Sequence, residues 1–209
     1  MKSLRGKNVV VTGGSRGIGY EICKILLENE MNVLAVSRDM TKLQSAKSQL
    51  PDLHILQADV SCSDQVRNIA QWVETQWGDL DILVNNAGIS PSSLEDYTTS
   101  SLLDLTEEAF GQTIKVNVLA PYICTKILLP MLIKTEEPKV INVGSTSGLM
   151  TPVLRGAYGV SKAALHALTI ASANELAAVV AVNALSPGWV LTDMAPDAPD
   201  HPRTSAESA

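Results

Sequence analysis

Tyr158 and Lys162 stand four residues apart at the start of a helical pattern, so their side chains share one helix face. A phenol with its ordinary pKa near 10 is a weak proton donor and a poor base at neutral pH, and an ammonium beside it favours the phenolate. Bringing the phenol to about 7 takes roughly 4 kcal/mol, within reach of one or two positive charges in a dry site. Alone, a Tyr-x-x-x-Lys pair reads as readily as a solvated helix face. Ser145, 13 positions upstream and just behind a strand of buried type, makes chance a poor explanation and points to proton transfer.

A second group suits an anion. Thr12-Gly13-Gly14-Ser15-Arg16-Gly17-Ile18-Gly19 joins the first β-type run to the first helical pattern. Glycines there permit a tight turn, let the backbone approach a pyrophosphate, and leave N–H groups at a helix N-terminus aimed at the charge. The spacing of Gly13, Gly17 and Gly19 is Gly-x-x-x-Gly-x-Gly, which differs from the Gly-x-x-x-x-Gly-Lys loop of ATPases and disfavours an NTP hydrolase. Asn85-Asn86-Ala87-Gly88 closes a later strand, at the kind of strand end where open α/β sheets bind ligands.

Short β-branched runs alternating with longer helical patterns must position these groups, and that alternation predicts an α/β fold with a parallel sheet. Strands are expected at 8–12, 33–36, 53–56, 81–84, 140–143 and 179–184. Helices are expected through Ile18, Ile22, Ile25 and Leu26, and at 41–50, 63–77, 107–132 and 157–176. Residues 90–101, rich in Ser and Thr, read as a surface loop. Residues 195–209, with Pro196, Pro199 and Pro202 and no apolar periodicity, read as a disordered tail, leaving 1–194 as a single domain.

The 209 residues and 45% hydrophobic composition suit one domain that folds without disulfide or metal. Sixteen basic against 22 acidic residues, a net charge of −6, argue against nucleic acid or an anionic membrane as the main partner. Three cysteines with no Cys-x-x-Cys pair and no zinc-like histidine spacing suggest no metal and a reducing compartment. The N-terminus has no signal-like apolar segment, and no uninterrupted apolar run approaches the roughly 20 residues of a membrane span. A cytoplasmic protein is the expectation.

From Lys7 to Met194 the chain resembles the short-chain dehydrogenase/reductase family, in its classical branch. The motifs arrive in the family's order: TGGSRGIG at 12–19, Asp59-Val60, NNAG at 85–88, Asn117 in Lys115-Val116-Asn117, Ser145, Tyr158-Gly159-Val160-Ser161-Lys162, and PGWVLTDM at 187–194. The resemblance implies a Rossmann-like doubly wound parallel sheet of six strands in the order 3-2-1-4-5-6. It implies an oxidoreductase that interconverts a carbonyl and an alcohol on a small substrate by hydride transfer with a nicotinamide dinucleotide.

The roles carried by the resemblance follow. Tyr158 would be the general acid toward the carbonyl oxygen, and Ser145 would hydrogen-bond that oxygen. Lys162 would lower the phenol pKa and bind the nicotinamide ribose, and Asn117 would hold a water linking Lys162 to solvent. Gly13, Ser15, Arg16, Gly17, Ile18 and Gly19 would hold the dinucleotide at the glycine turn. Asp59 would accept from the adenine amino group with Val60 against the ring, Asn86, Ala87 and Gly88 would line the cofactor, Pro187, Gly188 and Thr192 would meet the nicotinamide carboxamide, and Val190 would also bind the cofactor. The second strand ends in Ser37-Arg38 with no acid at the position that discriminates the ribose 2′ group, and Arg16 supplies a second guanidinium, so NADP(H) is expected over NAD. Asp39 could steady Arg38 or weaken that preference.

Several features depart from the family pattern or lie outside it. The stretch from Gly88 to Asn117 is long, and the link from Leu176 to Val182 is short. After Met194 the substrate-covering helices and the seventh strand are expected to be missing. Gly144 stands where many relatives have serine and is expected to matter little. Trp189, with Leu149, Met150, Val153 and Leu154, would make an apolar substrate wall. His54, His166 and His201 look isolated, Trp72 and Trp77 read as helix packing, and Cys23, Cys62 and Cys124 as small core residues. Intact Ser145, Tyr158 and Lys162 favour an enzyme over a dinucleotide-binding relative with little turnover and a regulatory or interaction role. The resemblance also implies a homodimer through the helices bearing Asn117 and Tyr158.

Overall fold

Asn8–Thr12 (β1, NVVVT) is buried along its whole length because it lies at the middle of a parallel sheet with strands on both sides and helices on both faces. The other strands are β2 (Asn32–Ser37), β3 (His54–Gln57), β4 (Ile82–Asn85), β5 (Lys139–Val143) and β6 (Ala181–Leu185). All pairings are parallel, and the order is β3-β2-β1-β4-β5-β6, as expected. The computed structural model describes residues 4–91, 102–150 and 156–190.

The helices are α1 (Gly17–Glu28), α2 (Met40–Gln49), α3 (Ser63–Gln76), α4 (Glu107–Ile114), α5 (Ala120–Leu132) and α6 (Gly156–Leu176). Strand alternation divides the core into two layers. Val9, Val11, Val33 and Ala35 pack with Cys23 of α1 and Leu43 and Ala46 of α2. Val10, Leu34, Val36, Leu83 and Val140 pack with Val66, Ile69 and Val73 of α3 and with Leu128 and Leu132 of α5. Each fully buried Val, Leu or Ile among these contributes about 1.5–3 kcal/mol.

Two elements differ from the sequence expectation. β6 begins at Ala181, not at 179, because the N–H groups of Val179 and Val180 both donate to Leu176 O (2.8 Å each) and close α6 before the strand starts. The helix expected over 107–132 contains a π-helical segment, Lys115–Leu119, between α4 and α5. Pro121 has no N–H to offer the Asn117 carbonyl four residues back, and Ala120 N–H reaches Lys115 O, five back, so the ladder shifts register there. The stretch Glu107–Leu132 is long and apolar enough to cross a membrane, but Val116, Ala120, Cys124, Leu128 and Leu132, four apart, spend that apolarity in the core.

Beneath the sheet's carboxyl end lies a buried polar layer. Asn85 Nδ2 donates to Asn142 Oδ1 (2.9 Å), Asn142 Nδ2 to Thr169 Oγ1 (2.9 Å), and the Thr169 hydroxyl to Leu165 O (2.7 Å). These bonds tie β4 and β5 to α6 at one depth.

Candidate active site

The glycine turn lies between β1 and α1, with Gly13 and Gly17 at φ +66° and +53°, in the left-handed region. A Cβ on Gly19 would collide with Gly13 O and Asn86 Nδ2. That contact is used: Asn86 Nδ2 donates to Thr12 O (2.9 Å) and Gly13 O (3.2 Å), while Thr12 Oγ1 accepts from the N–H of Asn86 and of Ala87 (3.0 Å each). β4's exit is thereby locked to the turn. Asp39 caps α2 through Lys42 N–H and Thr106 caps α4 through Ala109 N–H (3.1 Å each), whereas α1 has no capping side chain. Its first residues, Gly17, Ile18 and Gly19, line a cleft of about 210 Å³. An uncapped helix N-terminus facing a cleft suits an anion.

The same cleft is lined by Ser145, Tyr158 and Lys162, and no acidic residue is among its described lining residues. Ser145 Oγ accepts from Ser147 N–H (3.1 Å), leaving its own O–H to donate. The loop carrying Ser145 lies against α6: a Cβ on Gly148 would sit 2.6 Å from the Lys162 carbonyl carbon. Lys162 is 4% exposed, and its Nζ donates to Val143 O (2.7 Å). Burial pulls this ammonium down from 10.5 to about 8. Its Nζ lies 5.7 Å from the centre of the Tyr158 ring. Asn117, fully buried, clasps Ile89, with Oδ1 accepting from Ile89 N–H and Nδ2 donating to Ile89 O (2.8 Å each). Nδ2 also donates to Ser161 Oγ (2.9 Å), whose hydroxyl donates to Tyr158 O (2.7 Å).

The model of the short chain dehydrogenase family matches residues 7–203. The chain belongs to the short-chain dehydrogenases. It is 33% identical over 196 residues to an uncharacterized oxidoreductase of Staphylococcus epidermidis, covering 93% of this chain and 82% of that one. A 3-oxoacyl-(acyl-carrier-protein) reductase of the same organism is 32% identical over 194 residues, covering 90% of this chain and 77% of that one. Among solved structures, a Pseudomonas aeruginosa protein described as the RhlG/NADP active-site complex matches with 34% identity and a TM-score of 0.84, covering 92% of this chain and 76% of that one.

In this short-chain dehydrogenase Arg16 borders both the cleft and a second cavity of about 540 Å³, lined also by Ser37, Arg38, Lys42 and Gln57. Ser15 reaches the same edge through its hydroxyl, 3.0 Å from Ser37 Oγ. Lys42, not singled out from sequence, arrives there because it is four residues past Arg38 on the first turn of α2. Asp39 is occupied by the α2 cap and by Lys42 Nζ (3.7 Å). Asp59 Oδ1 accepts from Ser61 N–H (2.9 Å), and Val60, 7% exposed, packs in the core; neither lines the two cavities. Pro187, Gly188, Trp189 and Val190 line the cleft beside Ala87 and Gly88. Leu149 and Met150, 67% and 72% exposed, do not line it. Thr192, Val153, Leu154, His201, the tail and most of the expected loop lie outside the described residues.

Two sequence readings change in this dehydrogenase, and a third residue gains a role beside the expected one. Both N–H groups of the Asn117 carboxamide are committed to Ile89 and Ser161, so its side chain braces the site. Cys23 and Cys124 are buried, with burial pushing both thiols up to about 12, but Cys62 is only half-buried at the N-cap of α3. His54 and His166 are not isolated. His54 sits beside Trp72 and Trp77, whose rings meet edge-on at 4.9 Å, and His166 bonds Ser186. No group of three or more metal-ligating side chains occurs among the described residues.

Proposed function

We propose that this oxidoreductase interconverts a carbonyl and an alcohol on a small substrate with NADP(H), using Tyr158 as general acid and base. The observation that carries the reading is a buried cation, Lys162, beside the Tyr158 ring in a cleft that also receives an uncapped helix N-terminus. The cradle fits a dinucleotide: Gly19 leaves no room for a side chain at the turn, and Arg16 spans both cavities. Bound there, the nicotinamide would supply or accept the hydride.

The chain's own residues handle the proton. In the reductive direction Tyr158 gives its phenolic proton to the carbonyl oxygen, and Ser145 O–H donates to the same oxygen and fixes it for transfer. Lys162 stabilises the phenolate that results. Asn117 holds Ser161 and Ile89, and through them the start of α6 and the exit of β4, at fixed separation.

Preference for NADP(H) is supported by Arg16 and Arg38 beside one cavity, whose one carboxylate among the described lining residues, Asp39, caps α2 and pairs with Lys42. The NADP complex of the P. aeruginosa relative agrees with this. Pairing of two copies is supported by exposed apolar side chains on the helices bearing the site: Leu119 and Tyr122 (44% and 45% exposed), and Val160 and Ile170 (40% and 64%). Light scattering at the mass of two chains is the expected result.

The test follows NADPH absorbance with aldehydes, ketones and quinones. Turnover that falls on the order of 100-fold or more in Tyr158→Phe, with dinucleotide affinity retained, is the expected outcome. Binding without consumption of NADPH by any substrate, and no difference between Tyr158→Phe and the parent, would instead mark a binding protein.

A further inference from the structure

Tyr158, Lys162 and His166 form one stripe along α6, four residues apart, and the first two line the cleft. The third lies behind it, between the ends of β5 and β6. Its Nε2 is 3.0 Å from Ser186 Oγ, and its Nδ1 is buried with no hydrogen-bond partner among the described residues. The ring is therefore fixed at one end, by Ser186. Ser186 is the first residue past β6 and leads into Pro187-Gly188, which line the cleft together with the glycine turn.

The loops leaving β5 and β6 are stitched by two backbone bonds, Gly144 N–H to Leu185 O (2.7 Å) and Thr146 N–H to Pro187 O (3.1 Å). The imidazole adds a side-chain tie from α6, in space that Gly144 vacates. A Cβ on Gly144 would collide with His166 Nε2, approach Cδ2 to 2.9 Å and lie 3.3 Å from Ser186 Oγ. Gly144 and His166 are thus size-matched: a side chain at 144 requires the imidazole to move from its place beside Ser186.

We propose that His166 is a positioning residue for dinucleotide binding, acting through Ser186 to hold the Pro187-Gly188 turn against the loop that carries Ser145. This rests on the dinucleotide reading above. The two residues act as one unit, so cutting the tie at either end has the same consequence.

Calorimetric titration with NADPH tests this on the full chain. Ser186→Ala and His166→Leu are each expected to raise the dissociation constant about 3–10-fold, the loss of one hydrogen bond. The double variant should match either single one, and His166→Gln, which keeps a nitrogen near the Nε2 position, should restore most of the affinity. KM for the dinucleotide should rise more than kcat falls. Gly144→Ser should lower the melting temperature, and adding His166→Ala should recover most of that loss. Singles that bind like the parent, singles whose effects multiply, or a Gly144→Ser loss that His166→Ala does not relieve would each overturn the proposal. A parent chain that binds neither NADPH nor NADH would overturn the dinucleotide reading as well, which separates the two failures.

Discussion

Replacing Lys162 by methionine should separate stability from activity. The ammonium is almost wholly buried and no acidic residue is among the described residues lining its cleft; burial takes it from 10.5 to about 8. That gap corresponds to roughly 3 kcal/mol, the penalty for keeping the charge in the folded chain below pH 8. Methionine removes the charge at similar volume but leaves Val143 O without its 2.7 Å donor, a cost of about 1–3 kcal/mol. At pH 7 the variant is therefore expected to be as stable as the parent or up to about 2 kcal/mol more stable, while turnover falls on the order of 100-fold or more. The pH dependence is the sharper readout. The folded pKa lies below the unfolded one, so between about 8 and 10.5 the unfolded chain binds more protons and stability rises with pH. Relative to the methionine variant, the parent should gain up to roughly 3 kcal/mol across that window and show no change below it. Urea unfolding of both unliganded proteins from pH 7 to 10.5 measures the difference. A difference that stays constant across the window would refute the claim that the folded chain holds this charge out of water.

Four further substitutions probe other parts of the site. Asn117→Ala strands the N–H and C=O of Ile89 and one bond of Ser161, so unfolding should cost roughly 2–5 kcal/mol less, a melting temperature lower by about 5–15 °C in calorimetry. Gly19→Ala forces a Cβ into Gly13 O and Asn86 Nδ2, and fluorescence titration should show NADPH affinity falling on the order of 100-fold while circular dichroism stays near that of the parent. Arg16→Ala and Arg38→Ala should each reduce kcat/KM with NADPH by about 10–100-fold and leave NADH nearly unaffected. Equal losses with both dinucleotides would count against a 2′-phosphate clamp.

What the sequence made legible were features that repeat or that chemistry forces into fixed spacing. The β-branched run NVVVT, followed by a glycine turn, reads as a strand, and Tyr158 and Lys162 share a face by helix geometry alone. Less legible were consequences of two local rules competing. Pro121 is compatible with the first turn of a helix, but it also deprives Asn117 O of its partner, and the resulting π segment shows only once the rest of the helix is built around it. Asn85 and Asn86 are neighbours of one type, yet strand alternation sends Asn85 into the buried polar layer and leaves Asn86 to lock the glycine turn.

The hardest feature to read was what missing side chains make possible. At Gly19, Gly144 and Gly148 the added Cβ would strike, respectively, Gly13 O, the His166 ring and the α6 backbone next to Lys162. Each glycine sets the distance between two elements that supply different parts of the site: β1 with α1, β5 with α6 and β6, and the Ser145 loop with the turn bearing Lys162. A substitution that looks mild by side-chain chemistry, such as serine at 144, therefore acts as a displacement of one functional element against another. The readout that separates this from simple destabilisation is compensation: a cavity made at His166 should relieve serine at 144, whereas shortening Asn86 should not relieve alanine at 19, because the nearest atom struck there, Gly13 O, is backbone.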